Sequence, residues 1–317
     1  MSSDKPWKGY NEQLTILKFR GMLVGDEVKA SNYLERIGYY RLSGYWYSFR
    51  KHEVTSLGNN KLGYVRHDDF MDNSYFEDAV KLYVFDKKLR LLALDALERI
   101  ELSVRVDVAH LLGEKDIYAY ENSHNFYRDF HSIVRKRSGK TNHEEWLESY
   151  QKNLKRSRKL PFVAHYMSKY GKLPIWVSTE IWDFGMLSKL FSGMQRVDQD
   201  KIAQKYGAVS GMTFETWLRA FNFIRNVSAH HSLLWNSNVL ERASPIKDDI
   251  FLAKLRTERA FIYFCLMQKL LLVICPNSSW GQRFSDLMDD FPEVRCKAVS
   301  LNDFDLPEDW RTWELWG

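Results

Sequence analysis

Between residues 75 and 112, apolar side chains recur every three or four positions: Leu82, Phe85, Leu89, Leu92, Ala93, Ala96, Ile100 and Val104. This spacing places them on one stripe of a helix, and no proline interrupts it. Glu101 precedes Arg105 by four, the favourable order for a helical ion pair. Upstream, the pattern predicts two short helices within 11–37, separated by Gly21 to Gly25. The run IGYYRLSGYWYSFR at 37–50 is dense in aromatics and holds two glycines. It predicts either a helix–turn–helix corner packed through its rings or a short strand pair. Residues 51–72 are polar, with Gly58, Asn59, Asn60 and Gly63, and are expected to form a loop.

Downstream of the long helix, residues 113–160 are expected to form an excursion with one amphipathic helix. Gly171 and Pro174 mark a turn, and a helix is expected from about Ile175. Further helices are expected at 212–236 and 248–275, the second stopped by Pro276. The longest apolar run, Phe261 to Cys275, is fifteen residues and is broken by Gln268 and Lys269. That is too short to span a bilayer, so it is expected to be a buried core helix. Residues 276–317 are expected to be irregular, and they carry Trp310, Trp313 and Trp316. No repeat of fixed period is present. The expectation is an all-α chain in three regions. Residues 1–72 form an N-terminal, aromatic-rich helical region. Residues 73–275 form a helical bundle with the 113–160 excursion, and residues 276–317 form a Trp-rich tail.

Composition supports a folded core: of 317 residues, 45% are hydrophobic, 27% charged and 15% aromatic. Sixteen glycines and seven prolines are too few for a low-complexity or turn-rich all-β chain. Three cysteines, Cys265, Cys275 and Cys296, are an odd number without a C-x-x-C pair. A disulfide scaffold is not expected, nor is a cysteine-rich zinc site, and a reducing cytoplasm fits. The start, MSSDKPWKGY, has no apolar segment behind a basic stretch, so no secretory leader is expected.

The net charge of +5 permits an anionic partner without demanding one. Basic residues gather in two places. Arg135, Lys136, Arg137 and Lys140 form one cluster, and Lys152, Lys155, Arg156, Arg158 and Lys159 form another. Acidic Glu144, Glu145 and Glu148 lie between them. Solvated surface charge is the simpler account. RNA-backbone contact by Arg135, Lys136, Arg137, Lys155, Arg156 and Arg158 is the functional one.

Phosphate-cradling G-x-x-x-x-G-K-[ST] and G-x-G-x-x-G loops are absent, as are H-E-x-x-H and G-x-S-x-G. The segment RNVSAHHSLLWN at 225–236 is different. Arg225 and His230 form an R-x-x-x-x-H pair, with Asn226 after the arginine. With 22 arginines and 9 histidines in the chain, about 0.6 such pairs arise by chance. Two occur, Arg225/His230 and Arg105/His110, and helix geometry separates them. Trp217, Ala220, Phe221, Ile224 and Val227 define an apolar face. Asn226 and His230 lie nearly opposite that face, and Arg225 lies on its flank. His231 falls on the apolar side and is expected to be packed. In the earlier helix, His110 is expected to project toward the Leu/Phe stripe and Arg105 to point away with Glu101, a structural pair.

Histidine titrates near neutral pH and can take or give a proton. Arginine can grip a phosphate bidentately and stabilise its extra charge in a transition state. RNA supplies its own nucleophile, the 2′-hydroxyl. The chemistry available is attack of that hydroxyl on the adjacent phosphate, leaving a 2′,3′-cyclic phosphate and a 5′-hydroxyl. A helix with incidental polar residues is the bland alternative. Trp235 is expected to pack in the bundle rather than stack on a base. Tyr39, Tyr40, Tyr45, Trp46 and Tyr47 are expected to be mainly core, with some phenols at the surface.

In five blocks the chain resembles the bacterial Abi-like family (AbiD/AbiF type) of the HEPN superfamily of helical RNases. The blocks are IGYYRLSGYWYSFR at 37–50, LYVFDKKLRLLALDALERIELSVR at 82–105, HYMSKYGKLPIWVSTEIWDFGMLSKLF at 165–191, WLRAFNFIRNVSAHHSLLWN at 217–236 and a Trp-rich end similar to an F-P-x-x-W tail. The resemblance implies a HEPN-like helical bundle and a role in abortive infection or as a toxin. It implies RNA as target or partner, and a catalytic R-N-x-x-x-H motif at Arg225, Asn226 and His230. No cofactor or metal is implied. HEPN RNases usually join two motifs in one site, which implies a homodimer, and an antitoxin protein or RNA is a further implied partner. No membrane attachment is expected. The alternative is an RNA-binding or sensor protein without turnover. Two positions depart from the family: Ser228 stands where a Cys is frequent, and Leu233 where an Arg is. Ser232 stands where modification-silenced toxins carry a Tyr.

Overall fold

The computed structural model describes residues 6–56, 62–246 and 249–316. Helix α4, Phe76–Gly113, is 38 residues long, about 57 Å at 1.5 Å per residue. Its eight stripe residues are all buried. The helix just before it and six of the helices that follow pack directly against this strut. Before it come α1 (Tyr10–Phe19), α2 (Glu27–Ile37) and α3 (Tyr39–Trp46). Gly38, with φ 92°, turns the chain sharply between α2 and α3, a backbone conformation that a Cβ disfavours. The 37–50 run is therefore the helix corner, with Trp46 buried and packed edge-on to Tyr39.

The described residues of 51–72 are mostly strand rather than loop. Strands β1 (Arg50–Ser56) and β2 (Leu62–Phe70) pair antiparallel, with Arg50 opposite Phe70 and His52 opposite Arg66. The register breaks between Arg50 and His52. The pairing was hidden because it runs through the backbone. Val54 and Val65 are exposed, so no apolar/polar alternation marks a buried face. The glycine and asparagines at 58–60 lie outside the described residues.

The excursion holds a short helix, α5 (Arg128–Ser132), and the expected amphipathic helix α6 (Asn142–Ser157). Thr141 and Glu144 cap α6 reciprocally, and it buries His143, Trp146, Tyr150 and Leu154. Next, α7 (Pro161–Tyr170) ends at Gly171 in the left-handed region. The helix expected from Ile175 is only one turn, α8 (Ile175–Ser178). The chain restarts as α9 (Phe184–Gly193), where Asp183 Oδ1 accepts from Met186 N at 2.8 Å. Helices α10 (Arg196–Lys205) and α11 (Gly211–Ala229) follow. At Gly211 a Cβ would stand 2.3 Å from Gln199 Cβ, so glycine permits the close approach of α10 and α11.

The last long helix, α12 (Phe261–Ile274), starts thirteen residues later than the pattern suggested. Asp249 Oδ1 instead accepts from the N–H groups of Phe251 and Leu252 and turns the chain there. Side chains 261–268 of α12 are all buried, as expected for a central helix apolar on every side. The tail is not wholly irregular: α13 (Trp280–Asp289) lays Trp280, Phe284, Leu287 and Met288 on the core. Trp280 Nε1 donates to the Leu92 carbonyl at 2.9 Å, and Trp316 stacks on Phe284 at 4.7 Å. Among the described residues, no helix is long and apolar enough to cross a membrane.

Candidate functional site

Ser210 caps α11 by accepting from Thr213 N at 3.1 Å. The helix buries Phe214, Trp217, Leu218, Ala220, Phe221, Ile224 and Ser228. Arg225 and Asn226 are half-buried on its flank, and Arg225 Nη1 donates to Asn226 Oδ1 at 3.3 Å. The helix then stops at Ala229, not at Asn236. His230 is the C-cap and is exposed. His231 N donates to Ser228 O at 3.2 Å, and Ser232 N donates to Val227 O at 2.9 Å. These two bonds satisfy the last carbonyls in a Schellman arrangement, which needs a left-handed residue after the cap. His231 fills that position with φ 59°, where glycine is the cheaper choice. It is exposed rather than packed on the apolar side. The expectation for His231 failed because the helix ends at Ala229, two residues before it, so helical phase no longer sets its direction.

A buried polar cluster holds the segment beyond the motif. Asp86, 0% exposed on α4, accepts from Trp235 N at 2.8 Å, Leu234 N at 3.1 Å and Tyr45 Oη at 2.7 Å. Arg90, one turn on, pairs with the same carboxylate. It also donates to Tyr45 Oη at 3.1 Å and to the Ser232 carbonyl at 3.2 Å. Burial pushes the Asp86 carboxyl above its ordinary range, while Arg90, Tyr45 and the two peptide N–H groups pull it back. Burial, followed by the charge of Asp86, keeps Tyr45 a protonated donor. On the other side, Arg41 of α3 donates to the His231 carbonyl. Residues 231–235 are thus pinned from α3 and α4 together. Trp235 is buried and packs against Phe291, as expected. The sequence reading missed Asp86 and Arg90. The available signal was a charged pair four apart, each beside a stripe residue.

The two R-x-x-x-x-H pairs differ in what they touch. The Arg105 side chain is 16% exposed, paired with Glu101 and bonded to the Trp182 carbonyl. Its guanidinium is committed, as expected. His110, however, is exposed rather than turned into the stripe. Both residues line a cavity of about 560 Å³ beside Trp176 and Glu180. Arg225 has no carboxylate partner among the described residues, and the His230 imidazole has no hydrogen-bond partner among them. Burial pushes the Glu101 carboxyl up, and Arg105, then Arg225, draw it down. Arg225 therefore lies near that pair without joining it.

The basic clusters occupy opposite ends of α6, whose 16 residues separate them by about 24 Å. Arg135, Lys136 and Arg137 precede its N-terminus, while Lys155, Arg156 and Arg158 crowd its C-terminus; all are exposed. Arg135 pairs with Glu145 at 2.7 Å, and Lys140 pairs with Glu148. The acidic patch partly neutralises the first cluster. The second has no ion-pair partner among the described residues.

The Abi-like protein family model matches residues 32–236. No curated protein and no solved structure matches the chain. The matched span contains α3, α4, the excursion and α11, so it includes Asp86, Arg90 and the whole 225–236 segment. The Trp-rich tail lies outside it. The chain belongs to the Abi-like protein family.

Proposed function

We propose that this protein is a HEPN-type, metal-independent endoribonuclease that acts in abortive-infection phage defence in the cytoplasm. Family membership supports the setting. The observation that carries the chemistry is that Arg225 and His230 share one helix end and both lack an acidic partner among the described residues. A phosphate can then compete for Arg225 without first displacing a carboxylate, and the exposed imidazole can reach solvent-borne RNA.

In the reaction, the RNA 2′-oxygen forms a bond to phosphorus as the bond from phosphorus to the 5′-oxygen breaks. A histidine takes the 2′-proton, and a second histidine gives a proton to the leaving oxygen. One chain supplies one such histidine. Two copies of the chain, joined at their motifs, supply both, with Arg225 steadying the phosphate and Asn226 held beside it. An antitoxin protein or RNA would restrain such an activity.

The test is an RNA cleavage assay in EDTA with product ends mapped. Wild type is expected to leave 2′,3′-cyclic phosphates. His230→Ala is expected to lose about 10²- to 10⁴-fold in rate, and Arg225→Ala to lose cleavage as well. Wild type that binds RNA in a salt-sensitive way yet never cleaves it would replace the nuclease with an RNA-holding sensor.

A further inference from the structure

A groove of about 370 Å³ opens directly beyond the motif histidine. Its walls are α3 on one side and residues 231–233 on the other, with Tyr40, Arg41, Gly44, Tyr47, His231 and Leu233 among the lining. Its size falls within the range of small-ligand clefts. Two features set it apart from ordinary surface. Tyr40 is 92% exposed and Tyr47 is 51% exposed, so two aromatic faces of one short helix region meet water rather than core. Arg41 and Arg66 flank them with no carboxylate partner among the described residues. Arg66 sits over the Tyr47 ring at 4.9 Å and donates to the Tyr47 carbonyl at 3.4 Å. Arg50 also approaches that ring, at 5.7 Å, but is engaged by Asp68 at 3.2 Å.

We propose that this groove, rather than the basic clusters of α6, seats the single-stranded RNA segment beside the scissile phosphate. The assignment rests on the nuclease or RNA-binding reading of the motif. Exposed aromatic rings interleaved with guanidinium groups that no carboxylate neutralises are the chemistry that holds single strands: bases stack on the rings, and cations track the backbone. The groove adjoins the motif through covalent neighbours, since His231 and Ser232 directly follow His230. The left-handed backbone at His231 and the Arg41 bond to its carbonyl hold that wall against α3. A duplex would present its bases stacked inward, leaving the tyrosine faces unused, so the ligand class is unpaired RNA.

The test uses the full chain and a fluorescent oligouridine of about ten nucleotides with 2′-O-methyl sugars, which the 2′-hydroxyl reaction cannot cleave. Tyr40→Ala and Tyr47→Ala are each expected to weaken binding about 5- to 150-fold, the usual range for losing one stacked base. Tyr40→Phe and Tyr47→Phe are expected to keep it. Arg66→Gln is expected to shallow the slope of log affinity against log salt by about 0.7, one phosphate contact on a single strand. Tyr40 makes almost no core contact, so its alanine variant is expected to melt with wild type. If both alanine variants bind within about twofold of wild type, or wild type does not bind the strand, the groove assignment falls. Tyrosine-dependent binding without any cleavage by wild type upholds the groove and removes the nuclease. Cleavage that is indifferent to both tyrosines upholds the nuclease and removes the groove.

Discussion

Replacing Asp86 by Asn tests whether the buried cluster holds the motif's C-terminal segment. The exchange keeps the size and one carbonyl oxygen, so Trp235 N and Leu234 N, now at 2.8 and 3.1 Å, keep an acceptor. It removes the charge, leaving Arg90, 3% exposed, as a buried cation with only neutral acceptors. Breaking one side of a buried ion pair costs about 3–5 kcal/mol. For 317 residues, the melting entropy is near 0.7 kcal/mol/K, so the melting temperature is expected to fall by about 4–8 °C. Far-UV circular dichroism melts give the shift. Hydrogen exchange localises it, with the amides of Leu234 and Trp235 expected to lose protection. The double variant Asp86→Asn with Arg90→Met removes the orphaned cation. It is expected to be less destabilised than the summed single variants. An Asp86→Asn protein that melts within about 1 °C of wild type would refute the reasoning, as would exact additivity with Arg90→Met.

Two further outcomes follow from buried polar groups. The Ser228 hydroxyl is buried without a hydrogen-bond partner among the described residues, a state that costs about 1–3 kcal/mol. Ser228→Ala is expected to raise the melting temperature by about 1–4 °C, and Ser228→Cys, a weaker hydrogen-bonding group of similar shape, to do likewise; a fall in both variants contradicts this. His143 is packed against Phe126 and Phe130, with Nε2 2.8 Å from the Tyr120 carbonyl, and desolvation lowers its pKa. The unfolded chain therefore binds this proton more readily. The stability is complete above the unfolded value near 6.5 and is lost as pH falls through the folded one. Melting temperature is expected to drop as pH falls through about 6.5 and below, and His143→Gln, which keeps a donor for Tyr120, is expected to flatten that drop. An unchanged slope in the variant would assign the loss to other groups.

The strut α4 and the central α12 were legible in the sequence because each rests on local physics, whereas the 37–50 run left a helix corner and a strand pair both open. Helical periodicity marks α4, and a long, mostly apolar run marks α12. The Arg225, Asn226 and His230 pattern was visible in the sequence, though its spacing alone did not single it out and the family resemblance did. What the sequence did not decide was where α11 stops. Propensity alone carried the helix through to Asn236. A buried carboxylate 148 residues away in the chain takes Leu234 N as a partner, and that bond is available only once the long strut and the loop are packed together. The same tertiary pinning turned His231 outward and opened the groove against α3. The antiparallel pair β1 and β2 escaped detection for the opposite reason. Its stability comes from backbone pairing with little side-chain burial, so its residues had no hydrophobic pattern to show. Local periodicity determined which helices form. Long-range burial of polar backbone groups decided where the motif helix ends, and hence what surface lies beside His230.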